Sequence, residues 1–284
     1  MYNFSIWIND NMAPDFSGKI AAGDRFKINN LETESTIEDT DIADLDGGHL
    51  AEIRSLLISH FKKLVLLSAA KPVTEFEYYR RLFRKAHVLG VEYIKVPAGE
   101  ATAPLGEKPP AAPEGDTLPG DNPAAAGKVP AKEGEAESQA ESFREICRIG
   151  KAYGIGVLVE NNSKTALPSA SSVARFFESA GKGSAELIFN PLEYVRIKRH
   201  PFLNEFYNSR LKNMIRFLRV SDGLFVDGEA VLPAQGNGEI KEMASILLAR
   251  GFKGYFSFTP YLKDMSLRDY EEIIERFKKL LTQM

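Results

Sequence analysis

The sequence predicts a single closed (β/α)8 TIM barrel, and three observations support this fold. Eight short β-rich runs recur along the 284 residues, and amphipathic helical patterns fill most of the intervals between them. Strict alternation of strand and helix is typical of a parallel sheet, and eight repeats close naturally into a barrel. Several runs are almost wholly apolar, as expected for strands covered on both faces. We therefore treat residues 1–284 as one domain.

The predicted strands are the runs richest in β-branched and aromatic residues. They occupy residues 3–8, 26–32, 62–69, 91–97, 154–161, 185–191, 215–222 and 254–260. An open, doubly wound sheet is the alternative arrangement for such an alternation. No GxGxxG motif follows the first strand, which disfavours the dinucleotide-binding form of that alternative.

Apolar residues spaced by three and four positions predict the helices between these strands. The clearest patterns lie at 50–61, 76–86, 141–153, 168–180, 239–250 and 266–282, with a further helix beginning near Pro201. The interval at 9–25 is short and only weakly helical. The sequence therefore predicts a degenerate first helix.

Residues 99–140 interrupt the alternation after the fourth strand. They are rich in Pro, Ala, Gly and Glu, and their large apolar residues are only Leu105, Leu118 and Val129. Such a composition cannot bury enough surface to offset the entropy lost on ordering. We predict a low-complexity insertion loop, either a tolerated surface insertion or a partly ordered lid.

Bulk composition restricts the classes of partner. A net charge of −3 and a pI near 5.9 offer no general attraction to nucleic acid or to anionic lipid. Cys147 is the only cysteine, so the chain cannot form an intrachain disulfide. No signal-like or membrane-spanning run is present, which predicts a cytoplasmic protein. The composition is compatible with a homo-oligomer.

Six segments resemble a known family in their order and spacing. They are GVEYIKVPAG, VLVENN, LIFNPLEYV, IRFLRVSDG, GNGEI and GFKGYFSFTPYL, and Trp7 matches the first strand of many members. The sequence thus resembles the sugar phosphate isomerase/epimerase family of xylose isomerase-like barrels, in the AP endonuclease family 2 superfamily. The resemblance implies carbohydrate metabolism and a small sugar or polyol ligand at the C-terminal mouth of the barrel.

The same resemblance implies a divalent metal whose ligands are Glu, Asp, His and Glu at the ends of strands five to eight. The matching residues in this chain are Glu160, Asn190, Arg219 and Thr259, so one of the four ligands survives. A guanidinium has no lone pair with which to bind a metal. We therefore predict an eroded metal site and a protein that uses neither metal nor cofactor. The multi-histidine endonuclease chemistry is also disfavoured, because no histidine lies at a predicted strand end.

The candidate site residues lie at or just after strand ends, where active sites form in this fold. As an isomerase or epimerase, the chain would use Glu160 as base, with Arg219 and Lys95 as electrophilic partners. The predicted ligand-binding residues are Trp7, Glu32, Asn161, Asn190, Ser221, Asp222, Thr259 and Tyr261.

Each of these assignments has a structural alternative. Glu160 could simply pair with Arg219, Lys95 could pair with Glu32 inside the barrel, and Trp7 could fill the core. If these alternatives hold, the chain is a non-catalytic, ligand-sensing or structural descendant of the family. Loss of three of the four metal ligands favours this second interpretation.

Overall fold

A computed structural model describes residues 2–99, 133–181, 183 and 185–284. Eight parallel strands form a closed barrel in which each strand pairs with its neighbours in sequence and the last closes on the first. The strands are β1 (Asn3–Trp7), β2 (Asn30–Glu34), β3 (Lys63–Ser68), β4 (Tyr93–Lys95), β5 (Gly156–Glu160), β6 (Glu186–Phe189), β7 (Ile215–Arg219) and β8 (Tyr255–Phe258).

Helices surround this barrel and alternate with its strands, but the helix after the sixth strand begins at Pro191, earlier than the predicted start near Pro201. The helices are α1 (Phe16–Arg25), α2 (Gly47–Ser59), α3 (Phe76–Leu89), α4 (Glu133–Tyr153), α5 (Ala170–Ala180), α6 (Pro191–Arg196), α7 (Ile240–Ala249) and α8 (Leu267–Leu281). A π-helix at Pro201–Tyr207 and a 3-10 turn at Leu211–Asn213 lie between α6 and β7. Two short antiparallel ladders join Thr36–Ile37 to Thr40–Asp41, and Asp222–Gly223 to Ala230–Val231. The predicted barrel is confirmed.

The first helix and the second strand differ from the sequence-based prediction. The first helix is regular rather than degenerate, because Asp15 caps it through Gly18 N while Phe16 and Ile20 are buried beneath it. The second strand begins at Asn30 instead of residue 26, since Phe26 terminates α1.

The predicted insertion is shorter than 99–140. Helix α4 begins at Glu133, inside that range, where Glu and Ala are good helix formers. Residues 100–132 of the insertion lie outside the described residues. Within the described part of the chain, no helix is long and apolar enough to cross a membrane.

Two buried layers hold the barrel. The larger lies between the strands and the surrounding helices and includes Ile6, Phe83, Phe189 and Phe277. The smaller fills the barrel interior, and its members are Val65, Leu66, Leu158, Ile188, Phe217 and Tyr255, with Tyr93 packed against them. This second cluster forms an apolar floor beneath the C-terminal mouth.

Candidate functional site at the barrel mouth

The polar residues of the mouth follow from strand alternation. Side chains two positions apart on a strand point to the same face. The floor residues Tyr93, Leu158, Ile188, Phe217 and Tyr255 are therefore followed, two positions later, by inward-facing polar residues. These are Lys95, Glu160, Asn190, Arg219 and Ser257. Five strands thus place a polar layer directly above an apolar one.

Arg219 is the centre of this polar layer. Its side chain is 2% exposed, and its guanidinium contacts carboxylates from two other strands. Nε and Nη2 donate to the two oxygens of Glu160 at 3.1 and 3.2 Å, and Nη1 donates to Glu32 and to Ser257 Oγ. Burial lowers the Arg219 pKa, but Glu160 and Glu32 outweigh it and raise that pKa. The guanidinium is therefore a fixed positive charge in the barrel.

Glu32 is the second carboxylate that contacts Arg219. It is fully buried, and its Oε1 accepts hydrogen bonds from Ser5 Oγ and from Ser257 Oγ, the latter at 2.6 Å. Burying a carboxylate is costly unless it is paired and hydrogen-bonded, and here both conditions hold. This position therefore orients Arg219 rather than opening onto the mouth.

Glu160 accepts as many hydrogen bonds as a carboxylate can. Its Oε1 accepts from Arg219 Nε and from Asn190 Nδ2 at 3.0 Å, and its Oε2 accepts from Arg219 Nη2 and from Lys95 Nζ at 3.2 Å. Those four donors match the roughly four lone-pair positions of an ionised carboxylate. Burial alone would raise the Glu160 pKa, but Arg219 and Lys95 outweigh burial and lower this pKa to about 2.

Lys95 and Trp7 form the more open side of the site. The Lys95 side chain is 27% exposed, compared with 16% for Glu160. Lys95 Nζ lies 5.5 Å from the centroid of the Trp7 ring, and Arg219 Cζ lies 5.9 Å from the same centroid. Both cations are thus within range of an attractive contact with the indole. Trp7 is half-buried and is the only tryptophan of the chain.

Asn190, Asn161 and Ser221 form a hydrogen-bonded side wall. Asn161 Nδ2 donates to Asn190 O at 2.9 Å, and Asn190 N donates to Asn161 Oδ1 at 2.7 Å. Ser221 Oγ donates to Asn190 Oδ1 at 2.8 Å. That last bond fixes the amide so that its nitrogen, not its oxygen, faces Glu160. Asn161 therefore positions the Asn190 backbone and is itself buried.

Asp222 holds the loop that follows β7. Its buried carboxylate accepts N–H hydrogen bonds from Gly223, Gly236 and Gly238. Glycine is required at 236, because a Cβ there would lie 2.2 Å from Gly223 O. Burial raises the Asp222 pKa and outweighs the backbone N–H groups, which lower it. This geometry gives Asp222 the role of a loop anchor.

Replacing Asp222 with alanine is expected to lower the free energy of unfolding by about 2 kcal/mol, because three backbone donors lose their acceptor in a largely buried position. Urea unfolding measures this change. Asp222→Asn keeps one acceptor oxygen and should lose less. Equal stability of Asp222→Ala and the unsubstituted chain would rule out the anchoring role.

Two predicted ligand-binding residues make no hydrogen bond to the polar layer within the described part of the chain. Thr259 follows β8 and is partly exposed. The Tyr261 hydroxyl donates to Val231 O at 2.9 Å, and burial raises its pKa. Both stay predictions as ligand contacts.

The structure also settles which ions pair. Lys95 pairs with Glu160 and Glu32 pairs with Arg219, so the alternative of a Lys95–Glu32 pair is wrong. The two residues differ in burial, since Glu32 is fully buried while the Lys95 side chain is 27% exposed. Ser5 and Ser257 were missed from the sequence. Their signal was positional, because each lies two residues before a predicted mouth residue, Trp7 and Thr259.

Comparison with known proteins places this fold. No protein-family model matches the chain, and no curated protein matches it. A xylose isomerase-like TIM barrel protein from Mycobacterium smegmatis, solved with magnesium, has a TM-score of 0.71 at 15% identity over 100% of this chain and 97% of that one. A xylose isomerase domain protein from Alicyclobacillus acidocaldarius has a TM-score of 0.71 at 11% identity, covering 99% of each chain. The 3-keto-D-glucoside 4-epimerase of E. coli has a TM-score of 0.68 at 10% identity, covering 99% of this chain and 100% of that one.

These similarities agree with the eight-stranded parallel barrel. The chain has the xylose isomerase-like TIM barrel fold, and solved structures with this fold include sugar epimerases. At 10% to 15% identity the likeness concerns the fold, so the activity is inferred from the site itself.

Proposed function

We propose that this protein binds a small sugar or polyol derivative at the C-terminal mouth of the barrel, without a divalent metal. The observation that carries the proposal is the buried Arg219 guanidinium held between Glu160 and Glu32. It supplies a permanent positive charge at the position where the resemblance implies a metal. The sugar-processing activities named for structural neighbours support the ligand class.

The residues at the mouth do not fit a divalent metal. Both oxygens of Glu160 already accept two hydrogen bonds each, and Asn190 directs its amide nitrogen toward Glu160. A metal at this point would also face the guanidinium, a like charge at close range. Among the described residues, no group of three or more His, Cys, Asp or Glu side chains is arranged to hold a metal ion.

The groups that remain for a ligand are Trp7, Lys95 and the Thr259 hydroxyl. An indole can stack on the apolar face of a sugar ring, while an ammonium donates hydrogen bonds to sugar oxygens. The apolar floor beneath them excludes water from below. This combination of one aromatic surface with a few convergent polar groups is typical of small-molecule sites.

The state of Glu160 distinguishes an enzymatic form of the proposal from a non-catalytic one. An enzyme using Glu160 as base needs a carboxylate that can accept a proton from the ligand. A carboxylate with a pKa of about 2 and no free lone pair is a weak base. This observation favours the second candidate, a non-catalytic ligand-sensing or structural descendant, over Glu160-based proton transfer.

Fluorescence of the single tryptophan tests the proposal directly, because Trp7 lies beside Lys95 at the mouth. Neutral sugars, polyols, sugar phosphates and aldonic acids are titrated with EDTA or with Mn²⁺, and Tm is followed in parallel. We expect at least one compound to change Trp7 emission saturably and to raise Tm equally in EDTA and in Mn²⁺.

Trp7→Phe is the matched control, since it removes the optical signal while the Tm shift of a bound ligand is retained in part. Two results would contradict the proposal. The first is the absence of saturable binding across the panel. The second is stoichiometric Mn²⁺ or Zn²⁺ in the purified protein that disappears in Glu160→Ala.

A further inference from the structure

Within the described part of the chain, the hydrogen-bonding groups at the mouth that have no partner are mainly donors. An ammonium has three N–H groups, and within the described part of the chain Lys95 donates only to Glu160. Asn190 Nδ2 retains a second N–H, while Asn190 Oδ1 accepts from Ser221 and Glu160 is saturated. A ligand at this place therefore meets donors, and its complementary group is an oxygen acceptor next to Lys95.

The charges of the layer restrict that acceptor further. Glu32 and Glu160 carry two negative charges, and Arg219 and Lys95 carry two positive charges, all joined by direct contacts. An anionic group would leave this partly buried set with a net negative charge, which is costly away from water. An uncharged carbonyl oxygen satisfies the donors and keeps the balance.

Lys95 is also a nucleophile, and hydrogen bonding to a sugar does not use that reactivity. Its Nζ is the exposed end of the ion set, and a second cation, Arg219, lies near the same indole ring. Lysine amines condense with carbonyl compounds to form imines. Arg219 holds Glu160 in place, so the partner of Lys95 stays fixed while Lys95 reacts.

On this basis we infer that Lys95 forms an imine with the carbonyl carbon of an aldehyde or ketone ligand bound at the mouth. This inference rests on the proposed ligand site and adds a covalent step to it. The Lys95 ammonium first gives a proton to water, and its nitrogen adds to the carbonyl carbon. The resulting hydroxyl takes up a proton and leaves as water. The net change converts an ammonium and a carbonyl into a protonated imine and one water.

The protonated imine carries the same charge as the ammonium that it replaces. The four-charge balance is therefore unchanged by the reaction, and Glu160 and Trp7 can stabilise the imine as they stabilise the ammonium. A protonated imine also withdraws electrons from the adjacent carbon. A metal ion bound to the carbonyl oxygen would withdraw electrons from the same carbon. In this proposal Lys95 produces that effect.

Reductive trapping tests the inference. The folded protein is incubated with dihydroxyacetone or glycolaldehyde and sodium cyanoborohydride, and the labelled lysines are identified by peptide mass mapping. Lys27 and Lys279 are exposed and serve as internal references. We expect Lys95 to be labelled at least about tenfold faster than either, because binding places the carbonyl next to the amine. Lys95→Arg keeps the charge and should abolish only the fast phase.

Labelling of Lys95 no faster than that of Lys27 and Lys279 would overturn the inference. A parallel titration with a polyol that lacks a carbonyl separates this result from the proposed function. If Trp7 emission responds to ligands while Lys95 is not labelled preferentially, the imine is wrong and the ligand site stands. If neither occurs, both are wrong.

Discussion

Replacement of Arg219 with methionine is expected to lower the free energy of unfolding by about 3–5 kcal/mol, the range for removing one partner of a buried ion pair. Methionine fills much of the volume of the arginine side chain. It leaves Glu32 and Glu160 without the cation that they share, and Glu32 is fully buried. Urea or guanidinium unfolding measures the change. Tm should fall with it.

The physical reason is the uncompensated carboxylates rather than a lost attraction. Neutralising them in the same background, as Arg219→Met with Glu32→Gln and Glu160→Gln, should therefore recover a large part of the lost stability. Replacing a whole buried ion set by neutral groups is often close to neutral in free energy. If this combined variant is as unstable as Arg219→Met alone, packing and not charge explains the loss.

Arg25→Met is the matched control. Arg25 also pairs with a carboxylate, Glu271, but both side chains are exposed, at 52% and 36%. Exposed ion pairs contribute little, because water solvates each partner. The unfolding midpoint of Arg25→Met should be unchanged within error. A comparable loss in both variants would argue against a special role for the buried pair.

The fold could be predicted from the sequence because its signals are local and repeated. Most strands gave an apolar run, most helices gave a 3.6-residue period, and eight repeats left few alternatives. The errors lay at boundaries. Asp15, a single capping side chain, turned a weak pattern into a regular helix, and Phe26, placed in the predicted second strand, is the residue that ends that helix.

The site was less predictable, because pairing inside a barrel depends on which side chains of different strands meet in three dimensions. The sequence located Glu32, Lys95, Glu160 and Arg219 at strand ends, and the structure brings all four together. The register of the strands decides which cation pairs with which carboxylate. The sequence pattern does not contain that register. Ser5 and Ser257 were missed because a serine in an apolar strand carries no chemical signal until its partner is known.

Acid should remove the contribution of Glu160 to stability. The pKa of Glu160 is lowered from 4.5 to about 2 in the folded protein, where Arg219 and Lys95 outweigh the opposing effect of burial. A carboxylate whose folded pKa is lowered stabilises the protein fully above its unfolded pKa, and the stabilisation is lost as pH falls toward the folded pKa. A lowering of this size corresponds to about 3 kcal/mol.

The measurement is urea unfolding of the unsubstituted chain and of Glu160→Gln from pH 6.5 to pH 3. Above pH 5 the difference in free energy of unfolding between the two should be constant. By pH 3 it should shrink by about 2 kcal/mol, since the unfolded carboxylate is then protonated while the folded one is not. A difference that does not vary with pH would mean that Glu160 has an ordinary pKa.

Lys95→Met sharpens this test, because it removes one of the two cations that lower the Glu160 pKa while Arg219 remains. In that background the loss of stability should begin at the same pH, because the unfolded pKa is unchanged, but it should be complete at higher pH and be smaller in total. The shift separates the electrostatic contribution of Lys95 from that of Arg219. If the pH profile of Lys95→Met matches that of the unsubstituted chain, Lys95 does not act on Glu160 in solution, and its ammonium is free for a ligand.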